Sequence, residues 1–356
     1  MKRLLILVVL AAAACGVYFY VNDIRSSENG SVKPKGKQPD TPVYEQKLNK
    51  KDYEGAYTEA RETIEKTKIP EDPGLYYTAA VSALELGREK EAEEFAGILI
   101  SPDLRKNLSA QKKALMLGNE FYKRFVAGEE PNWDFWMITR DLLGIGLHSR
   151  PENTKEVIEK ITKLNAIIEF SGQIVKGTVR YTIKRGETLD RIAQKFNTNA
   201  SMLVRINDNI DNPNVVHAGQ TIKVVPGGNY TVIVDKSQFK LTVYRDGIYI
   251  KSYPVGVGKE GEETPTGTTS IFTRQIHPPW TRIGKPAVHY GDPEYPLGER
   301  WMSFDKEHFA HYGIHGTNDD STIGKKSSNG CIRLTNSDVI ELYDLITIGT
   351  KVVIQE

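Results

Sequence analysis

The hydrophobic residues of this 356-residue chain change their spacing partway along it, and that change limits what the chain can fold into. Through residues 43–170 apolar positions recur three and four apart, as in KKDYEGAYTEARETIEK and GLYYTAAVSALELGREKEAEEFAGIL. That is the period of helices with one buried face. From Tyr230 they recur every second residue, as in YTVIVDKSQFKLTVYRDGIYIKSYPVGVG, the period of half-buried strands. Asp246-Gly247 between two such runs predicts a tight hairpin. Near the end, TNSDVIELYDLITIG reads as one capped helix, and KVVI as a last strand. One layer cannot serve both periods. The chain is therefore expected to be multidomain α+β, with residues 229–356 forming a mostly β sandwich or partly closed barrel.

Between these regions, residues 179–226 give strand, helix, helix and strand in under fifty residues. Leu189, Ile192, Ala193 and Phe196 fall on one helix face. PGGN, residues 226–229, reads as a short hinge.

The N-terminus obeys neither period. Residues 4–21, LLILVVLAAAACGVYFYV, carry no charge and follow Lys2 and Arg3. Eighteen helical residues span roughly 27 Å, close to the hydrocarbon core of a bilayer. Residues 1–22 are thus expected to be a membrane-spanning signal anchor with the body outside the cytoplasm. A lipoprotein signal cut before Cys15 and a cleaved secretory signal are the alternatives. Residues 23–42, rich in Ser, Gly, Lys and Pro, read as a flexible linker. The net charge of +1 supplies no basic field, so nucleic acid is not an expected partner.

The chain has two cysteines, and Cys15 lies inside the apolar run. Cys331 is left without an intrachain partner, so it is either an inert buried hydrophobe or a reactive thiol. It ends the stretch HGTNDDSTIGKKSSNGC, which opens with His315. Thiol attack on a carbonyl needs a base, and imidazole is the usual one. Gly316 and Gly330 remove side-chain crowding beside each group, and N–H groups near Gly330 and Cys331 suit an oxyanion. His311, His315 and Cys331 suggest zinc, but four residues along a strand separate the two rings by ~13 Å. No metal or other cofactor is expected.

Three resemblances follow from these residues. KDYEGAYTEA from Lys51 and GREKEAEEFA from Gly87 align with small residues at Ala56, Ala80 and Ala92. Residues 43–170 so resemble tetratricopeptide helical hairpins, which implies protein or wall-polymer contact. Residues 179–226 are similar to a LysM domain through Tyr181, Gly186, Thr188, Leu189, Ile192, Asn207, Gly219, Gln220 and Pro226. That family implies binding to N-acetylglucosamine-containing glycan such as peptidoglycan. Finally, TPTG (264–267), PLGERWMSF (296–304), GIHGT (313–317) and SSNGCIRL (327–334) occur in order. This resembles the L,D-transpeptidase (YkuD-type) catalytic domain. The resemblance makes Cys331 the nucleophile and His315 the acid/base, with the Gly316 carbonyl orienting the ring. Gly330 stands with them, and Thr317, Ser328, Asn329 and Arg333 face substrate, Arg333 as a carboxylate holder. Asn329 occupies a place where some members carry a second His. The implied activity is 3→3 cross-linking of peptidoglycan stem peptides in cell-wall biogenesis. Hydrolysis as an L,D-carboxypeptidase and a non-catalytic wall-binding scaffold are the alternatives.

Overall fold

The computed structural model describes residues 41–67, 72–127, 131–282, 285–305 and 307–356. The expected anchor and most of the linker lie outside the described residues. Among those described, no helix is long and apolar enough to cross a membrane. The chain divides into two compact units at residues 164/165.

The first unit is helical. It holds α1 (Val43–Asn49), α2 (Tyr53–Thr67), α3 (Pro73–Glu85), α4 (Glu89–Leu99), α5 (Leu108–Phe121) and α6 (Trp136–Leu147), and α7 (Thr154–Ile168) crosses the division. Caps explain where helices start. The Asp72 carboxylate accepts from the Gly74 N–H ahead of α3, and the Asn107 side chain accepts from Ser109 and Ala110 N–H ahead of α5. Small residues let helices meet. Ala56, Ala80 and Ala92 are fully buried. A Cβ on Gly146 would come 2.6 Å from that of Leu115, so α5 and α6 approach through the missing side chain.

The second unit begins with the last turn of α7. The βααβ segment follows: β1 (Val179–Thr182), α8 (Leu189–Lys195), α9 (Ala200–Arg205) and β2 (Thr221–Val224), with β1 and β2 antiparallel. Thr188 caps α8 by accepting from the Arg191 N–H. Ile192, Leu203, Ile222 and Val224 are the centre of its small core.

Then come β3 (Tyr230–Asp235), β4 (Lys240–Arg245), β5 (Ile248–Pro254), β6 (Val257–Gly258), β7 (Gly267–Ile276), β8 (Trp280–Arg282), β9 (Lys285–Val288), β10 (Arg300–Phe304), β11 (Gly313–His315), β12 (Lys326–Ser328), β13 (Ile332–Arg333), α10 (Asn336–Leu345) and β14 (Lys351–Gln355). Asp246 and Gly247 both take positive φ, 52° and 84°, the conformation of a type I′ hairpin turn. Eight strands form one sheet in the order β13-β11-β10-β7-β14-β3-β4-β5. The sheet curls until its ends nearly meet. Gly256, just past β5, exchanges two 2.9 Å backbone hydrogen bonds with Arg333 of β13. β7 is shared by both halves of this sheet, pairing with β14 through its first part and with β10 through its second, and the two halves contribute to one core, in keeping with the expected sandwich or partly closed barrel. Its concave core includes Met302, Ile314 and Ile332, with Val339 and Leu342 of α10 against them.

The expected hinge at residues 226–229 is not built as one. The Gly227 N–H donates to the Phe196 carbonyl at 2.9 Å. A Cβ on Gly227 would fall 1.8 Å from the Asn197 carbonyl oxygen. These glycines serve close approach rather than bending.

Candidate active site

Register aligns the side chains of the site. Gln275 of β7 pairs with Trp301 of β10, Trp301 with His315 of β11, and His315 with Arg333 of β13. Directly paired residues project from the same face. The four side chains therefore form a row across four strands, and all four line one cleft of about 430 Å³. Cys331, one residue before β13, opens into the same cleft.

The segment carrying Cys331 is stitched along its length. The Gly324 N–H donates to Val255 O, the Val257 N–H to Lys325 O and the Lys259 N–H to Ser328 O, at 2.9–3.0 Å. The Ser328 hydroxyl donates to the Cys331 carbonyl at 2.6 Å and accepts from the Gly330 N–H at 3.1 Å. Gly330 sits at φ 100°, where side chains are disfavoured, and a Cβ there would meet the Tyr312 ring at 2.2 Å. The space beside Gly330 is thus filled by Tyr312 and not left for a substrate backbone. The thiol itself lies 4.0 Å from the His311 carbonyl.

His315 is buried, and its Nδ1 lies 2.5 Å from the Gly316 carbonyl oxygen. A carbonyl only accepts, so Nδ1 carries the proton and Nε2 is left with its lone pair. The Trp301 ring lies 5.6 Å from the imidazole. Burial pushes the His315 pKa down to about 4; the Gly316 hydrogen bond opposes this and the Arg333 charge adds to it. Burial pushes the Cys331 thiol up, against a backbone hydrogen bond at Gly313 and the Arg333 charge. The resting site is therefore a neutral imidazole beside a neutral thiol.

One wall of the cleft is a flap formed by residues 277–282 and 285–299, which contain β8 and β9, with Trp280 and Leu297 among the lining residues. Its base is clasped by one carboxylate. The Glu299 side chain accepts from the Tyr290 hydroxyl at 2.6 Å and meets His277 Nε2 at 2.7 Å. The His277 and Tyr290 rings stack 3.4 Å apart. These two hydrogen bonds, Tyr290 first, hold the Glu299 carboxyl below its ordinary range. The Glu299 N–H also donates to Asn336 Oδ1, which sits against Gly316.

Of the residues singled out from the sequence, Cys331, His315, Arg333, Ser328 and Asn329 line this cleft. Asn329 Oδ1 accepts from Lys259 Nζ at 3.0 Å. Thr317 does not line it: the residue is buried, and its hydroxyl bonds the backbone of Asp319. Arg333 has a buried Nε with no hydrogen-bond partner among the described residues. Gln275, Trp301, Glu299 and Lys259 were not legible as site residues. The alternation in RWMSF puts Trp301 on one face of a strand, but only the register shows which face meets the cleft. Among the described residues, no three His, Cys, Asp or Glu side chains converge as metal ligands.

Residues 229–354 match the L,D-transpeptidase catalytic domain family (YkuD), and residues 181–225 match the LysM domain family. A putative L,D-transpeptidase YkuD of Bacillus licheniformis is 38% identical over 178 residues, covering 48% of this chain and 96% of that relative. A probable L,D-transpeptidase YcfS of Escherichia coli is 30% identical over 192 residues, covering 47% of this chain and 58% of the relative. Among solved structures, an L,D-transpeptidase from Mycobacterium smegmatis is 23% identical. The match covers 39% of this chain and 64% of that one, with a TM-score of 0.31. Matched to the Bacillus relative over nearly all of that relative's length, this chain belongs to the L,D-transpeptidase (YkuD) family and carries a LysM domain ahead of the catalytic domain.

Proposed function

We propose that the chain is an exported peptidoglycan L,D-transpeptidase that works through a Cys331 thioester and forms 3→3 cross-links between stem peptides. The observation that carries this reading is His315, its Nδ1 tied to the Gly316 carbonyl, sharing a cleft with the free thiol of Cys331. As Sγ attacks the carbonyl carbon of the L-centre of a tetrapeptide stem, His315 Nε2 takes the thiol proton. The tetrahedral intermediate collapses and the C–N bond to the terminal D-residue breaks. That amine leaves with the proton from His315, and a thioester remains. An amine of a neighbouring stem then attacks the thioester, loses its proton through His315, and releases Cys331 as the thiol.

Arg333 suits a stem carboxylate, since this cationic residue lines the same cleft as Cys331. The LysM domain holds glycan. The uncharged run at residues 4–21 keeps the body at the membrane on the wall side, either as an anchor or as a lipoprotein at Cys15. The helical region, with its tetratricopeptide-like repeat, contacts a protein or the wall polymer.

The test is incubation of the protein with tetrapeptide-containing muropeptides beside Cys331→Ala, with products identified by mass spectrometry. Cross-linked dimers from the unmodified protein are expected, and the substitution lowers turnover by at least about 10³-fold. Tripeptides without dimers would assign L,D-carboxypeptidase action instead. Turnover that survives Cys331→Ala would overturn the mechanism.

A further inference from the structure

The LysM domain is built into the catalytic body. Asn199, at the start of α9, uses its whole side-chain amide on the catalytic domain. Its Nδ2 donates to the carbonyls of Asp344 and Ile346 at 2.8 and 2.9 Å, at the end of α10. Its Oδ1 accepts from Arg274 Nη1 of β7 at 2.6 Å. Six residues on, at the other end of α9, Arg205 grips Asp344 Oδ2 through Nε and Nη2, both at 2.7 Å. Asn199 and Asp344 are both buried. Met202, Ile206 and Val225 belong to the same hydrophobic cluster as the catalytic core. The connection at Gly227 is closed against Asn197, with no room for a side chain.

Such a joint has consequences that a flexible tether lacks. A tether raises local concentration over a wide range of distances. A joint of several hydrogen bonds around buried Asn199 and Asp344, with a shared core, allows one distance and one orientation. The route to the cleft is also short. Arg274, which Asn199 holds, is adjacent in β7 to Gln275, the first residue of the cleft row.

We propose that the LysM domain is a fixed part of the catalytic machine. Glycan held by it presents its stem peptides to Cys331 at one set spacing, and Asn199 and Arg205 are the positioning residues that set this spacing. The inference rests on the transpeptidase reading above. It adds a substrate preference: stems on a polymeric glycan long enough to reach both sites, over free muropeptides.

The test uses the full chain and the double substitution Asn199→Ala/Arg205→Ala. Neither residue lines the cleft. Rates are measured on a soluble disaccharide-tetrapeptide and on a polymeric glycan bearing the same stem. The variant is expected to keep its kcat/KM on the soluble substrate within about twofold and to lose about tenfold on the polymer. Binding to stem-free glycan should stay unchanged. Amide ¹⁵N relaxation gives an independent measure: the LysM and catalytic amides should share one correlation time in the unmodified protein and separate in the variant. Equal losses on both substrates, an unchanged polymer rate, or two correlation times in the unmodified protein would each overturn the proposal. Should the unmodified protein be inert on the soluble substrate as well as the polymer, the transpeptidase reading itself fails and this inference with it. A variant too unstable to purify leaves the relaxation of the unmodified protein as the deciding result.

Discussion

His315 and Cys331 are both neutral at rest, and that state predicts the chemistry of the free thiol. A Cys–His ion pair would expose a thiolate over a broad range of acid and neutral pH. Here the thiol pKa is raised by burial. Alkylation of Cys331 by iodoacetamide in the free protein is therefore expected to be slow at pH 7. It should climb steadily into the alkaline range, and a plateau from pH 5 would contradict the neutral pair. Stability carries the matching sign. The His315 pKa falls from 6.5 to about 4 on folding, so between those values the unfolded chain binds the extra proton. This group's contribution is complete above pH 6.5 and is lost as pH falls toward 4. His315→Phe should flatten that part of a melting-temperature profile. Ser328 shows how supporting residues differ from reacting ones. It lines the cleft, yet its hydroxyl is committed to the Cys331 carbonyl and the Gly330 N–H. Ser328→Ala should cost roughly 1–2 kcal/mol, read by denaturant unfolding, because buried partners are left unpaired.

Individual elements were legible in the sequence wherever a signal was local. Asp246-Gly247 predicted its hairpin because two adjacent positive φ values suit those residues. Thr188 and Thr335 cap the helices that follow them. The row Gln275–Trp301–His315–Arg333 was not legible, because it depends on the register of strands far apart in sequence. The flap was hidden for the same reason: His277 and Glu299 meet across 22 positions of sequence. PGGN misled because glycine signals both flexibility and tight contact, and composition does not separate the two. The flap gives a prediction at its own scale. Glu299→Ala removes two charge-assisted hydrogen bonds from the base of the cleft wall. It should lower kcat/KM by roughly tenfold, mostly through KM, in steady-state assays. Glu299→Gln, which keeps one acceptor, should retain more activity than Glu299→Ala.

At the scale of the molecule, the second unit is held together by polar groups as well as by its core. The Lys223 ammonium donates to the carbonyls of Ile167, Ile168 and Ser171 at 2.8–3.0 Å, satisfying the open end of α7. Arg245 and Glu169 form a two-pronged buried pair. Lys223→Met would take the ammonium from three carbonyls, of which only that of Ile167 keeps a second donor, the Ser171 hydroxyl, and should destabilise the protein by roughly 2–4 kcal/mol, measured as a fall in melting temperature. The near-closure of the sheet has a further consequence, in time rather than in space. β14 pairs with β3, the first strand of this sheet, and Arg333 bonds Gly256, so the cleft depends on contacts between residues some 80 to 120 positions apart. Long-range pairing of this kind makes folding slow. No stretch emerging early in synthesis contains the whole cleft, because the segment carrying Cys331 is tied to residues 255–259 only when the sheet comes round on itself. Completion of the sheet is then the step that completes the cleft.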